Sequence, residues 1–333
     1  MIILFLLVLA FFAAVGLTGW LRHYALASHL IDIPNARSSH TLPTPRGGGL
    51  AIVAVFLASL PIFYAVGDLP WADVAAFVGA GGLVASVGFL DDRGHVSVRW
   101  RLLAHFLAAA WVLWCLGGMP ALIVTDSIWV RGLLTGVGLF YLVWLLNLYN
   151  FMDGIDGLAG LEAFSVCLGG ALLYGAGGHF GPLLVLAAAV AGFLYWNLPP
   201  AKIFMGDGGS GFLGIVLGIF SLQAAWVSPQ FFWSWLILLG VFIVDATWTL
   251  LRRWCQGDKV YQAHRSHAYQ YAARAYGHRL VSLVVTAINV LWLLPIALWV
   301  SSGLSAGFGL ALAYTPLLGL AVVFKAGAKE GGG

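Results

Sequence analysis

The stretch WVRGLLTGVGLFYLVWLLNLYNFMDGIDG, residues 129–157, decides the fold. Its first part, 129–149, holds a single charge, Arg131, and as a helix it is long enough to cross a hydrocarbon core of roughly 30 Å. The run then passes without a break into two amides, two carboxylates and two glycines. If the segment stays helical, Asn147, Asn150 and Asp153 recur at i, i+3 and i+6, and Asp156 continues the row. That predicts four polar residues on one helix face at a membrane boundary. Amide and carboxylate oxygens are the hard ligands that Mg²⁺ accepts, alongside waters and substrate phosphates. A polar helix cap accounts for one aspartate but not for the aligned row.

The rest of the chain repeats this apolar character. Of 333 residues, 61% are hydrophobic and 9% charged, whereas a soluble domain carries about a quarter charged residues. Apolar runs near 2–21, 47–66, 71–90, 102–119, 129–149, 157–176, 181–198, 211–227, 231–251, 280–301 and 304–324 predict an all-α polytopic membrane protein of about eleven transmembrane helices. Ten is the alternative, because 157–176 and 304–324 are short or Gly-rich enough to be kinked or re-entrant. The first run is read as a retained helix: no positive charge precedes it, and it is about twice the length of a signal-peptide core. No inverted repeat is visible. One domain is expected over 1–333, with 325–333 as a flexible tail.

Charge sets the orientation. With the N-terminus outside, all of the sixteen Lys and Arg residues except Arg131 fall in inward segments, as the positive-inside rule requires. The basic balance therefore reflects topology and not nucleic-acid binding. The same inward loops carry Asp91, Asp92, Asp153, Asp156, Asp207, His264 and His267, so the chemistry belongs to the cytoplasmic face. Cys115, Cys167 and Cys255 are scattered and read as apolar fillers. The fifteen tryptophans read as interfacial anchors and packing.

Four inward loops hold the candidates. Asp91-Asp92-Arg93 ends the third run, and adjacent carboxylates near hydrocarbon are costly unless a cation shares them. The row from Asn147 to Asp156 is the second. The third, Pro199 to Gly211, breaks a helix with two prolines and opens the next with a glycine-rich turn holding Asp207, suited to a metal-bridged phosphate. It lacks the Lys-Ser/Thr ending of a nucleotide-hydrolase loop. In the fourth, His264-Arg265-Ser266-His267 is a cluster suited to gripping phosphate; a zinc site would need the absent His-Glu-x-x-His spacing. Asp245, inside an apolar run, reads as a structural group hydrogen-bonded between helices.

These motifs resemble, in order, those of the polyprenyl-phosphate N-acetylhexosamine-1-phosphate transferases of glycosyltransferase family 4. The resemblance runs from Asp32-Ile33-Pro34-Asn35 through Pro43-Thr44-Pro45-Arg46-Gly47-Gly48, Asp91-Asp92, Asn150 to Gly157 and Gly206-Asp207 to His267. It implies Asp207 as the magnesium ligand, with Mn²⁺ as an alternative ion. It also implies catalytic roles for Asp91, Asp92, Asp153 and Asp156, the first two on the carrier phosphate. Asn147, Asn150, Arg46, Lys202, Phe204, His264, Arg265 and His267 would bind substrate, with Phe204 stacking on uracil. The peptidoglycan branch carries three consecutive histidines where this chain has His264-Arg265-Ser266-His267. That departure points instead to the subgroup that starts O-antigen-like surface glycans from UDP-N-acetylfucosamine or UDP-N-acetylglucosamine.

The expected partners are then a UDP-N-acetylhexosamine, undecaprenyl phosphate and the lipid bilayer, in a bacterial inner membrane with the N-terminus periplasmic. A homodimer is compatible with this. The expected reaction is magnesium-assisted attack of the lipid phosphate on the β-phosphorus, with release of UMP. A transporter would instead place charges at the bilayer midplane and show repeats, and a CDP-alcohol phosphotransferase would group its aspartates in one segment.

Overall fold

The computed structural model describes residues 2–34, 42–94, 96–120, 127–174, 180–258 and 264–328, which are helical almost throughout. After α1 (Ile2–Ala27), β1 (Ile31–Asp32) pairs antiparallel with β2 (Thr44–Pro45), Ile31 opposite Pro45 and Asp32 opposite Thr44. Next come α2 (Leu50–Ala65) and a segment built of α3 (Trp71–Ala76), a π-helical turn (Phe77–Gly81) and α4 (Gly82–Gly94). Five helices follow: α5 (Val98–Cys115), α6 (Ile128–Met152), α7 (Leu158–Tyr174), α8 (Gly181–Asn197) and α9 (Asp207–Val227). The last part holds α10 (Pro229–Leu238), α11 (Gly240–Cys255), the short α12 (Ala268–Tyr276) and α13 (His278–Ile288). A second π-helical turn (Asn289–Leu293), α14 (Leu294–Ser301) and α15 (Ala306–Val323) complete it.

Within the described residues each expected apolar run falls mainly on helix, but the crossings do not simply number eleven. Among the described residues six stretches are long and apolar enough to span a membrane, and the bent pair α10–α11 would make a seventh. The helices α2, α7 and α8 are apolar but shorter. The run 231–251, expected as one helix, is broken by a bend of 71°. A Cβ on Gly240 at the elbow would lie 3.1 Å from Tyr314 and 3.4 Å from Leu317. Its absence lets α15 pack into the bend.

The hub is α9, buried along nearly its whole length. Small residues let neighbouring backbones reach it, as in other membrane bundles. A Cβ on Gly209 would lie 2.6 Å from the Cα of Gly49, and one on Gly214 would lie 2.7 Å from the Cα of Leu146. Away from the loops, Phe56, Phe77, Phe212, Phe220 and Trp235 pack with ring centroids 4.8–6.3 Å apart.

The first loop, expected to face inward, lies against the N-terminus of α9. Phe204 N–H donates to Pro45 O (2.8 Å), and Gly48 and Gly49 donate to Phe204 O and Met205 O (2.9 Å each), so the first loop lies alongside the Gly206-Asp207 turn. Residues 325–328, expected to be part of a flexible tail, are held in place. Gly327 N–H donates to Ser266 O (2.7 Å), and Arg252 donates to Ala326 O (3.0 Å), so 325–328 is docked. Residues 329–333 lie outside the described residues.

Candidate active site

The carboxylate centre arises because α4 and α9 touch backbone to backbone. A Cβ on Gly88 would stand 2.5 Å from the carbonyl carbon of Asp207 and the nitrogen of Gly208. Asp91, one turn beyond Gly88, is thereby brought against Asp207, the first residue of α9. Arg101, one turn into α5, bridges them: its guanidinium is ion-paired with Asp91 and lies 3.5 Å from Asp207 Oδ2. Asp91 Oδ1 also accepts Val96 N–H (2.7 Å). Asn150 Nδ2 donates to Asp207 Oδ1 (2.9 Å) and to Ser210 Oγ (3.1 Å).

Between these groups lies a cavity of about 20 Å³, lined by Asp91, Arg101, His105, Asn147, Asn150 and Asp207. That is room for one water or one small ion. The hard oxygens around it are the carboxylates of Asp91 and Asp207. Among the described residues no three His, Cys, Asp or Glu side chains form a preformed ion cage. This donor set fits Mg²⁺, which takes one or two carboxylates and completes its shell with waters and substrate phosphates.

The small cavity adjoins a cleft of about 690 Å³, with Arg101, His105, Asn147 and Asn150 lining both. The cleft has two unlike walls. Leu102 and Phe106 of α5, Phe140, Val143 and Trp144 of α6 and Leu250 of α11 make an apolar wall, and Phe140 is 64% exposed on the outer surface. Asp153, His264, His267, Tyr269 and Gln270 make the polar wall. Burial, reinforced by the negative charges of Asp207, Asp92 and Asp156, pushes the Asp153 carboxyl well above the usual range.

The histidine wall is built by α11 and α12. Asp245 lies buried in α11; its Oδ1 accepts Ala268 N–H and its Oδ2 accepts Tyr269 N–H, both at 2.9 Å. The carboxylate thus caps the free amides of α12 and meets the positive end of its dipole. His267 Nδ1 is 3.4 Å from Asp245 Oδ1, which fixes the ring, and His264 stacks on it at 4.9 Å between centroids. Burial, then the neighbouring His267 and Arg253, pushes the His264 imidazole down to about 3. That direction favours the neutral ring, which offers hydrogen bonds to a ligand in place of charge.

Six of the candidate residues, Arg46, Asp92, Asp156, Lys202, Phe204 and Arg265, line neither cavity. The polar row ends early, because α6 stops at Met152 and Gly157 turns the chain at φ +77°. Asp156 therefore faces away from the cleft, 3.3 Å from His278 Nδ1, and accepts Ala201 N–H (3.0 Å). Asp92 is buried behind the turn against Arg46, 3.7 Å from its guanidinium, where the missing side chain of Gly206 leaves it room. Lys202 sits over the rings of Tyr195 and Trp196 at 5.7 and 5.4 Å, at the outer edge of α8. Phe204 pairs with the first loop through its backbone, and Arg265 accepts from Arg274 through its carbonyl (3.2 Å); neither lines the cleft. Sequence reasoning missed Arg101 and His105, which were counted only as an inward charge and as part of an apolar run. Their i, i+4 spacing at the start of α5 was the available signal.

Comparison with known proteins shows the family. Residues 74–225 match the family model described as "Glycosyl transferase family 4". The decaprenyl-phosphate N-acetylglucosaminephosphotransferase of Mycolicibacterium smegmatis is 34% identical over 292 residues, covering 74% of this chain and 71% of the relative. The undecaprenyl-phosphate alpha-N-acetylglucosaminyl 1-phosphate transferase of Thermotoga maritima is 26% identical over 291 residues, covering 83% and 84%. A phospho-N-acetylmuramoyl-pentapeptide-transferase of Picosynechococcus is 34% identical over 225 residues, covering 61% and 58%. With a carboxylate centre at the head of a glycine-lined helix and matches across most of its length, the chain belongs to glycosyl transferase family 4, alongside these polyprenyl-phosphate sugar-phosphate transferases.

Proposed function

We propose that this protein transfers N-acetylglucosamine 1-phosphate from its UDP-sugar to undecaprenyl phosphate, releasing UMP, on the cytoplasmic face of a bacterial inner membrane. The observation that carries the reading is the two-walled cleft over the Asp91–Arg101–Asp207 centre. An apolar wall open to the bilayer suits an isoprenoid chain, and a polar wall suits a sugar nucleotide. The matches to N-acetylglucosamine enzymes cover more of this chain than the match to the muramoyl-pentapeptide enzyme. The inward bias of Lys and Arg supports the orientation, and eleven crossings, with α10–α11 as one bent crossing, fit it.

Asp207 and Asp91 would hold Mg²⁺, with Asn150 fixing the Asp207 carboxylate through its amide; when bound, the ion neutralises the diphosphate of the donor. Arg101, tied to Asp91, orients the carrier phosphate so that its oxygen faces the β-phosphorus. A phosphate monoester has its second pKa near 6 and reaches the site as a nucleophile without a dedicated base. A P–O bond forms to the lipid phosphate as the bond to UMP breaks, and Arg101 meets the negative charge that develops. His264, as a neutral ring, and His267 offer hydrogen bonds to the donor. Asp153, holding a proton, can do the same.

The test is isotope exchange with purified protein, UDP-N-acetylglucosamine, labelled UMP and undecaprenyl phosphate. Label should enter the sugar nucleotide only when both Mg²⁺ and lipid are present. Exchange that needs no lipid, or none with any UDP-N-acetylhexosamine from folded protein, would overturn the reading.

A further inference from the structure

Away from the cleft, a carboxyl group is buried in the apolar body of the fold. Glu162 of α7 is 0% exposed. Asn289, first residue of the second π-helical turn, donates from Nδ2 to Glu162 Oε2 (2.5 Å) and to Ser165 Oγ (3.0 Å). Two buried acceptors are left over, Glu162 Oε1 and Asn289 Oδ1, and neither receives a hydrogen bond among the described residues. Ionisable groups at such depth are rare, and a bare buried acceptor is costly.

One proton satisfies both. If Oε1 carries it, O–H donates to Asn289 Oδ1 while Oε2 still accepts from Nδ2, closing a cyclic acid–amide pair. An ionised Glu162 has no donor to offer and would leave both acceptors bare. We propose that Glu162 is held as a neutral carboxylic acid paired with Asn289, a latch inside the membrane that positions the Asp153–Asp156 turn of the cleft.

The connection to the cleft runs through α7. The turn at 153–157 leads directly into this helix, and its other fastening is to α13 as well: Asp156 lies 3.3 Å from His278, and Ser282 Oγ donates to Asp156 O (2.9 Å). Two polar joints thus fix α7 against α13 and the π turn. The π turn has its own cause in Pro295, whose ring and missing N–H demand a wider turn before it. It begins at Asn289.

Among the described residues no charged side chain lies where it would stabilise an ionised Glu162. From α6 the titratable neighbour is Tyr149, whose hydroxyl donates to Ala159 O (3.1 Å). From α13 there are His278 and Arg279 at the cytoplasmic end, the former beside Asp156. In α9 only Asp207 ionises, at the opposite end of the helix from the membrane interior. The helices α10 and α14 and the π turn contribute none, and α8 has only the exposed Tyr195.

The test is infrared spectroscopy of the full chain in detergent, wild type minus Glu162→Gln. The carbonyl stretch of an undissociated carboxylic acid should appear at neutral pH and vanish in the variant. This readout needs no substrate, so it stands apart from the transferase reading. Gln offers Nε2–H in place of Oε1–H, so Glu162→Gln should keep exchange activity within about threefold, whereas Glu162→Ala should lose it together with thermal stability. Above about pH 4.3, where an unfolded Glu ionises, the folded wild type keeps a proton that the unfolded chain has released. Its unfolding equilibrium should then shift tenfold toward the unfolded state per pH unit relative to Glu162→Gln, until Glu162 itself ionises. A difference spectrum without the acid band, or a Gln variant as impaired as the Ala variant, would overturn the proposal.

Discussion

Replacing Gly88 by alanine strikes the contact on which the carboxylate centre depends. The new Cβ would lie 2.5 Å from two backbone atoms at the start of α9, and backbone cannot swing aside as a side-chain tip can. Carbon contacts are comfortable from about 3.4 Å, so α4 and α9 must part by roughly 0.9 Å at this level. Asp91 would move with α4 while Asp207 stays with α9, and the Arg101 bridge, already 3.5 Å on the Asp207 side, would open. A misplacement near 1 Å costs on the order of 100-fold in rate, and overpacking costs about 1–3 kcal/mol of stability. The assay is the initial rate of lipid-dependent sugar-phosphate transfer at saturating substrates, beside thermal unfolding in detergent. Gly82→Ala is the control: it lies in the same helix, and a Cβ there meets nothing within 4 Å, so rate and stability should be unchanged. A folded Gly88→Ala protein within threefold of wild type would refute the reasoning, as would equal damage from the control.

Other perturbations sort the remaining groups. Arg101→Leu should abolish transfer, and Arg101→Lys should recover only part of it, because one ammonium cannot fork between two carboxylates; steady-state rates decide. The raised Asp153 keeps its proton in the folded state above the unfolded value near 3.9, so stability falls as pH rises. Asp153→Asn should therefore gain on wild type by up to about 1.4 kcal/mol per pH unit above pH 4, until Asp153 ionises; melting curves at pH 5 and 8 test the sign. Asp245→Ala leaves the amides of Ala268 and Tyr269 bare, at about 1–3 kcal/mol, and should raise KM for the sugar nucleotide by releasing His267. Lys202→Ala, at the outer edge of α8, should leave kcat and KM within twofold.

The helices were legible because a bilayer imposes length and apolarity on any segment that crosses it. Asn147, Asn150, Asp153, Asp207 and the two histidines were legible because polar groups at that boundary need a reason to be there. What pattern could not supply was direction. Extrapolating the helical row to Asp156 failed because the period holds only while the helix does, and Gly154 and Gly157 end it. Arg101 looked like a topological charge because its role is to bridge Asp91, ten residues back, to Asp207, 106 residues further along the chain. Arg46 and Asp92 were legible as residues of interest, but their mutual burial behind Gly206 depends on a loop-to-loop ladder that no local spacing encodes.

The docking of 325–328 beneath Ser266 gives the histidine wall a mechanical footing on the final helix. At 18 residues, α15 is about 27 Å long, slightly less than a typical hydrocarbon core of roughly 30 Å. Helices that short respond to membrane thickness by tilting less or by thinning the lipid around them. Since Gly327 hangs directly on Ser266, such an adjustment is delivered to the loop that holds His264 and His267. The histidine loop is in this sense coupled to α15, and where that helix crosses a bilayer, acyl-chain length becomes a variable of the loop's geometry.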